Sequence, residues 1–120
     1  MSLKTTVILT IFAISCVNLH ASWVGTWLVV IENGKDISKK EVTYIITEDS
    51  ISQSVPGLCE EKAAFSVTGN NFTAITTESN CPWSFTGKKK SGVLSFKGEH
   101  LTLTFPEHGK TFSQTCIKKK

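Results

Sequence analysis

Apolar and polar residues alternate one for one along most of this chain. Val42-Thr43-Tyr44-Ile45-Ile46-Thr47, Ala63-Ala64-Phe65-Ser66-Val67-Thr68 and Leu101-Thr102-Leu103-Thr104-Phe105 are examples. Successive side chains of an extended strand point to opposite faces, so this pattern marks strands buried on one side. Between the runs lie Glu48-Asp49-Ser50, Gly69-Asn70-Asn71, Ser91-Gly92 and Glu107-His108-Gly109, all rich in turn formers. Helical spacing is not sustained for more than about a turn after residue 21. The expected class is all-β, with strands at roughly 24–32, 41–47, 50–55, 62–68, 72–78, 83–89, 92–97, 101–105 and 110–117.

Short links make sequential strands pair antiparallel. Eight or nine short strands most economically close into one up-and-down antiparallel β-barrel, which leaves no exposed edge. A two-sheet sandwich has the same periodicity and stays open as the alternative. On the meander's parity, the 33–40 connection, Cys59, Cys81, the 98–100 turn and the C-terminus share one end. The 48–50, 69–71, 89–91 and 106–109 turns share the other.

The first 21 residues read differently. Lys4 precedes an apolar run from Val7 to Val17, followed by Asn18-Leu19-His20-Ala21. A basic start, a short apolar core and a small residue describe a secretory signal peptide cleaved after Ala21. The run is shorter than the roughly 20 residues a membrane span needs. Within it, Ala13-Ile14-Ser15-Cys16 resembles the lipobox of bacterial lipoproteins, which makes Cys16 a candidate for lipidation. Membrane association is expected only by that route. Both readings export the protein, leaving residues 22–120 as one secreted or periplasmic domain.

Cys59 and Cys81 stand at equal distances from Asn70. In a hairpin centred there, Thr68 faces Phe72 and Cys59 faces Cys81. Opposed strand residues bring Cα atoms to about 4.5–5.5 Å, within disulfide range. In an exported domain this spacing argues for a staple over a thiol or metal role. Cys116 is left over: free and buried, paired with another chain, or a rival partner.

Most candidate chemistry is thin. The chain has 13 Lys and Arg together, none of them Arg, against 10 acids. Guanidinium forks for phosphate are therefore missing, and Lys39-Lys40, Lys88-Lys89-Lys90 and Lys118-Lys119-Lys120 divide between the two expected ends, so nucleic-acid binding is not expected. His100 and His108 flank a strand, roughly 17–20 Å apart at about 3.3 Å per residue, and cannot share a metal. His100 beside Cys59, Glu60 and Glu61 at one end would lose its thiolate to the disulfide. There is no nucleophile elbow and no phosphate loop, and the adjacent Glu60-Glu61 side chains diverge, so no enzyme, metal or cofactor is expected. Asn71-Phe72-Thr73 is a glycosylation sequon, with Asn71 as its acceptor.

Gly25-Thr26-Trp27, early on the first strand, resembles the Gly-x-Trp signature of lipocalins and their smaller calycin-like relatives. In that family the Gly lets the backbone bend and the Trp closes one barrel end. Lines such as Gly98-Glu99-His100-Leu101-Thr102-Leu103-Thr104-Phe105 also look like small lipocalin-like domains. The family's arginine near the last strand, which packs on the Trp, is missing, and Lys118 is the nearest cation. The resemblance implies a binding protein for a small apolar ligand held among Trp27, Tyr44, Phe65, Phe72, Phe85 and Phe105. The alternative is a protein-binding module, such as a small β-barrel inhibitor of lysozymes or proteases. Leu28 and Val30 face away from Trp27, Val29 and Ile31, so this strand is apolar on both faces. Its outer face wants a cover: another segment, a protein partner, or a second copy in a homodimer.

Overall fold

The computed structural model describes residues 22–119. The expected signal segment, its cleavage site and Cys16 lie outside the described residues. Nine strands follow in order: β1 (Gly25–Glu32), β2 (Lys35–Asp36), β3 (Thr43–Ile46), β4 (Ser50–Val55), β5 (Cys59–Thr68), β6 (Asn71–Ser79), β7 (Lys89–Lys97), β8 (His100–Glu107) and β9 (Lys110–Lys118). Each pairs antiparallel with its neighbour from β3 to β9, and β1 pairs with both β3 and β9. That last pairing closes eight strands into an up-and-down barrel and excludes the sandwich. β2 is a short appendage hydrogen-bonded to the end of β1. Asn33 and Gly34 both take positive φ between them, the geometry of a tight two-residue hairpin.

Alternation produces the core. Trp27, Val29, Tyr44, Ile46, Phe65, Phe72, Leu94, Leu101, Leu103, Phe105 and Cys116 are all buried and form one cluster with Trp23, Ile37 and Val42. Each large side chain so buried contributes about 2 kcal/mol of transfer free energy. Small residues make room for large ones: Ala63, Ala74 and Gly92 lie among Phe65, Phe72 and Phe105.

Four expectations are corrected. First, the strand expected at 83–89 does not form: residues 83–88 belong to a connection, 80–88, between β6 and β7, and Lys89 opens β7. Removing one strand inverts the parity of everything after it. The 98–99 turn and the C-terminal residues therefore join residues 22–24, 47–49 and 69–70 at what we call the amino end. The 33–42 segment, 56–58, the disulfide, 80–88 and 108–109 form the opposite, disulfide end. His100 thus lies at the far end from Cys59, Glu60 and Glu61. Lys39, Lys40 and Lys88–Lys90 share the disulfide end, and Lys118 does not.

Second, Ser91 and Gly92 are not a turn but the middle of β7, opposite Thr73 and Phe72. Third, the β5–β6 hairpin turns on two residues, Gly69 and Asn70, so Thr68 faces Asn71 and Val67 faces Phe72. The register shifts again after Ala63, with Thr77 as the extra residue, and Lys62 then faces Glu78. Fourth, a register shift between Val29 and Ile31 in the β1–β9 pairing turns Ile31 outward, away from the face of Trp27 and Val29. Leu28 and Val30 are half-buried. The returning 37–42 segment is hydrogen-bonded to β1, the Ile37 N–H donating to the Val30 carbonyl and the Val29 N–H to Val42.

Candidate functional site

The barrel interior is the first place to seek a ligand. Toward the amino end, Trp27 is 2% exposed, and its indole N–H donates to the Trp23 carbonyl at 3.0 Å. Lys118 Nζ sits 5.6 Å from the Trp27 ring centroid, a cation–π arrangement. The Lys118 stem runs where a Gly25 side chain would be: a Cβ there would come within 2.7 Å of Lys118 Cε, and Gly25 φ is +146°. The glycine thus opens the space through which the last strand's lysine reaches the tryptophan.

Further along the axis the phenylalanines stack in sequence. Ring centroids are 5.7 Å apart for Phe65–Phe72, 6.4 Å for Phe72–Phe105 and 5.1 Å for Phe105–Phe112. Such pairs add about 1 kcal/mol each beyond burial. Above them lies a polar layer. The Tyr44 hydroxyl donates to Gln114 Oε1 and accepts from Gln53 Nε2 at 3.3 Å. Gln114 Nε2 in turn donates to Glu32 Oε1 at 3.0 Å. Burial pushes the Tyr44 hydroxyl well above its ordinary pKa, with the Glu61 and Glu32 carboxylates adding to it, so it stays a neutral donor.

Inside the barrel lies a small cavity of about 40 Å³, bordered by Tyr44, Gln53, Glu61, Thr76, Lys88 and Lys90. At about 10–15 Å³ per probe-sized water, that holds about three or four waters. Pockets for drug-sized ligands run to about 300–1,000 Å³. Five of the six aromatic residues expected to line a binding cavity (Trp27, Tyr44, Phe65, Phe72 and Phe105) are buried, and they are the packing itself. Phe85 is the exception and a correction. It is 64% exposed, on the 80–88 connection rather than on an inward strand face.

That connection is the second candidate. Cys59 and Cys81 are disulfide-bonded with Cα atoms 5.0 Å apart, which ties its start to β5. Past the bridge, the Ser84 N–H donates to the Cys81 carbonyl and the Lys88 N–H to that of Phe85. Across the gap, the Gly87 N–H donates to the Thr76 carbonyl, and Thr76 and Ser84 share a hydroxyl bond at 3.1 Å. Lys88 Nζ closes the loop by donating to the Trp83 carbonyl at 2.8 Å and to Glu107 at 2.7 Å. Burial alone would raise the Glu107 carboxyl. The Lys88 hydrogen bond and the Lys90, Lys88 and His108 charges together outweigh it and hold the group below its ordinary range.

On this braced loop Trp83 is 37% exposed, and Leu58, immediately before Cys59, is 60% exposed. Trp83 and Phe85 line an open cleft with Pro82, Lys88–Lys90, Pro106, Glu107 and His108. Neither Trp83 nor Leu58 was singled out by sequence reasoning: Trp83 fell in the strand expected at 83–89, and Leu58 in the link between those expected at 50–55 and 62–68. The signal was there: Cys81-Pro82 at one end and Thr86-Gly87 at the other are turn chemistry, not strand chemistry.

The remaining candidates are dispersed. His100 and His108 are exposed at opposite ends, and Asn71 is exposed at the first position of β6. Among the described residues no group of three or more His, Cys, Asp or Glu is placed to hold a metal ion. Cys116 is free and buried, and burial pushes its thiol up to about 12. No protein-family model and no curated protein matches this chain.

Proposed function

We propose that this protein is an extracytoplasmic, calycin-like binding module that recognises a protein partner through its disulfide end. The observation that carries the reading is the contrast between a filled interior and an exposed, braced loop. Fatty-acid-sized ligands need hundreds of cubic ångströms, and the interior offers about 40 Å³. Trp83 and Phe85, by contrast, are held out to solvent on a loop already fixed by a disulfide and hydrogen bonds. A pre-ordered loop loses little entropy on docking, and exposed aromatics are the residues that most often dominate protein interfaces. The disulfide also fits an oxidising compartment, as the apolar leader does. The Gly25–Trp27–Lys118 arrangement supports the calycin-like kinship, with lysine where lipocalins use arginine.

The test is photo-cross-linking in the cells that make the protein, with a photoreactive amino acid placed at Phe85 or, as control, at the exposed Ile45 on the outer wall of β3. The expected result is a defined protein adduct from position 85 and none from position 45. The adduct partner, once purified, should bind the wild-type protein directly and at least tenfold more weakly after Trp83→Ala, as loss of a central aromatic anchor implies. The same adducts from both positions, or an affinity unchanged by Trp83→Ala, would overturn the reading.

A further inference from the structure

The cleft beside the braced loop carries a charge pattern that narrows the partner. We propose that it receives an acidic segment, a run of Asp or Glu carrying an apolar side chain, and this rests on the reading of the disulfide end as a protein-binding surface. The open volume is about 760 Å³, enough for several side chains. Pro82, Trp83 and Phe85 line it from the 80–88 connection, Lys88, Lys89 and Lys90 from the entry into β7, and Pro106, Glu107 and His108 from the end of β8 and the turn after it.

Three lysines meet one glutamate there, so the cleft is positive whether or not His108 is protonated. Glu107 is already committed: Lys88 Nζ lies 2.7 Å and Lys90 Nζ 3.9 Å from its two carboxylate oxygens, and His108 Nε2 lies 3.7 Å away. Lys88 is spent on Glu107 and the Trp83 carbonyl. Lys90 lies over the Phe105 ring at 4.3 Å and is partly buried. Lys89 is different. It is exposed and has no ion pair among the described residues. A carboxylate arriving at Lys89 enters the field of the whole lysine run, because charges within about 8 Å act together at physiological salt.

The apolar walls set the second requirement. Pro82, Trp83, Phe85 and Pro106 offer a dry surface for an aliphatic or aromatic side chain, and the lysines supply its charged rim. The neighbouring outer wall of the same end has the opposite sign, with Glu60 and Glu78 against Lys62. An acidic segment is therefore drawn to one side of this end and repelled from the other, which fixes its placement.

The experiment is an NMR amide and indole titration of the intact disulfide-bonded protein with a short synthetic peptide of glutamates interrupted by leucine. The control peptide replaces every glutamate by glutamine. Saturable shifts should concentrate on Trp83, Phe85, Lys89 and His108, weaken as salt rises, and be missing with the glutamine peptide. Lys89→Glu should lower the affinity roughly tenfold and Lys89→Gln by less, whereas Lys62→Glu on the other wall should not weaken it. Equal shifts at Lys39, Lys40 and Lys119 would mean diffuse attraction and overturn the proposal. So would tighter binding of a sulfated oligosaccharide, which would make the ligand a glycan. A concentration-dependent dimer joined through Glu60 and Glu78 would instead make the partner a second copy and overturn it as well. If the acidic peptide fails while the Phe85 adduct persists, only the acidic chemistry falls; if both fail, the protein-binding reading falls too.

Discussion

Gly92 shows how one residue lets the core close. It lies in β7 between Phe72 on β6 and the Thr104–Phe105 stretch of β8. A Cβ there would overlap the Thr104 carbonyl oxygen and come within 2.8 Å of Phe105 Cβ and 2.9 Å of Phe72 Cε2. The Phe72 and Phe105 rings meet edge to face across this gap, so the missing side chain is what allows their contact. Gly92→Ala should therefore destabilise the fold by about 3 kcal/mol, since an added methyl must push strand backbone rather than a flexible side-chain end. Urea unfolding midpoints of the two proteins give the comparison. A loss below about 1 kcal/mol would show that the rings part freely.

At the scale of elements, the β5–β6 hairpin holds the disulfide in register through two departures from the symmetric drawing. The two-residue turn offsets pairing by one position, and the extra residue Thr77 offsets it back. Cys59 and Cys81 then meet as though the hairpin were uniform about Asn70. A strand longer or shorter by one residue between them would carry one cysteine to the wrong face. Non-reducing peptide mapping should show a Cys59–Cys81 link and an unmodified Cys116. With its thiol pushed up to about 12, Cys116 holds almost no thiolate near neutral pH and should take up alkylating reagent only after unfolding. Reduction of the bridge, which spans 22 residues of sequence, should cost on the order of 3 kcal/mol in the chain-entropy model. Rapid native-state alkylation of Cys116, or a link involving it, would contradict this arrangement.

At the scale of the whole molecule, closure between β1 and β9 decides what the barrel holds. Eight strands make a barrel just wide enough to fill with side chains or to keep one small ligand. Here phenylalanines on four strands, Trp27 and the Tyr44–Gln114 layer occupy the axis. Fluorescent fatty-acid and naphthalene probes should accordingly show no saturable binding near one per chain to the native protein. Trp27→Ala should remove about 3–5 kcal/mol of stability by leaving a void among residues that cannot all collapse. Stoichiometric probe binding to the native wild-type protein would return the interior-carrier reading to first place.

Much of this architecture was legible in the residues alone. Period-two alternation marks strands because a pleated chain has only two faces, and Gly, Asn and His-Gly pairs mark turns because they tolerate positive φ. All-β class, antiparallel neighbour pairing and five buried aromatics followed from such local rules; the barrel was the more economical of two architectures with the same periodicity, and the Cys59–Cys81 pairing was expected from a symmetric hairpin that the structure replaces with two compensating shifts. Tertiary structure alone decided three other matters. It placed Phe85 on a loop, because alternation between Trp83 and Lys89 fits a strand as well as a braced connection, and only the hydrogen bonds of that connection separate the two. It set which turns share an end, because a single misread strand inverts the direction of every strand after it. It filled the interior, because apolar alternation says which side chains point inward but not how far apart the opposite walls stand. Closure across β1 and β9 sets that distance, and it depends on contacts between residues about 90 positions apart that no local pattern encodes.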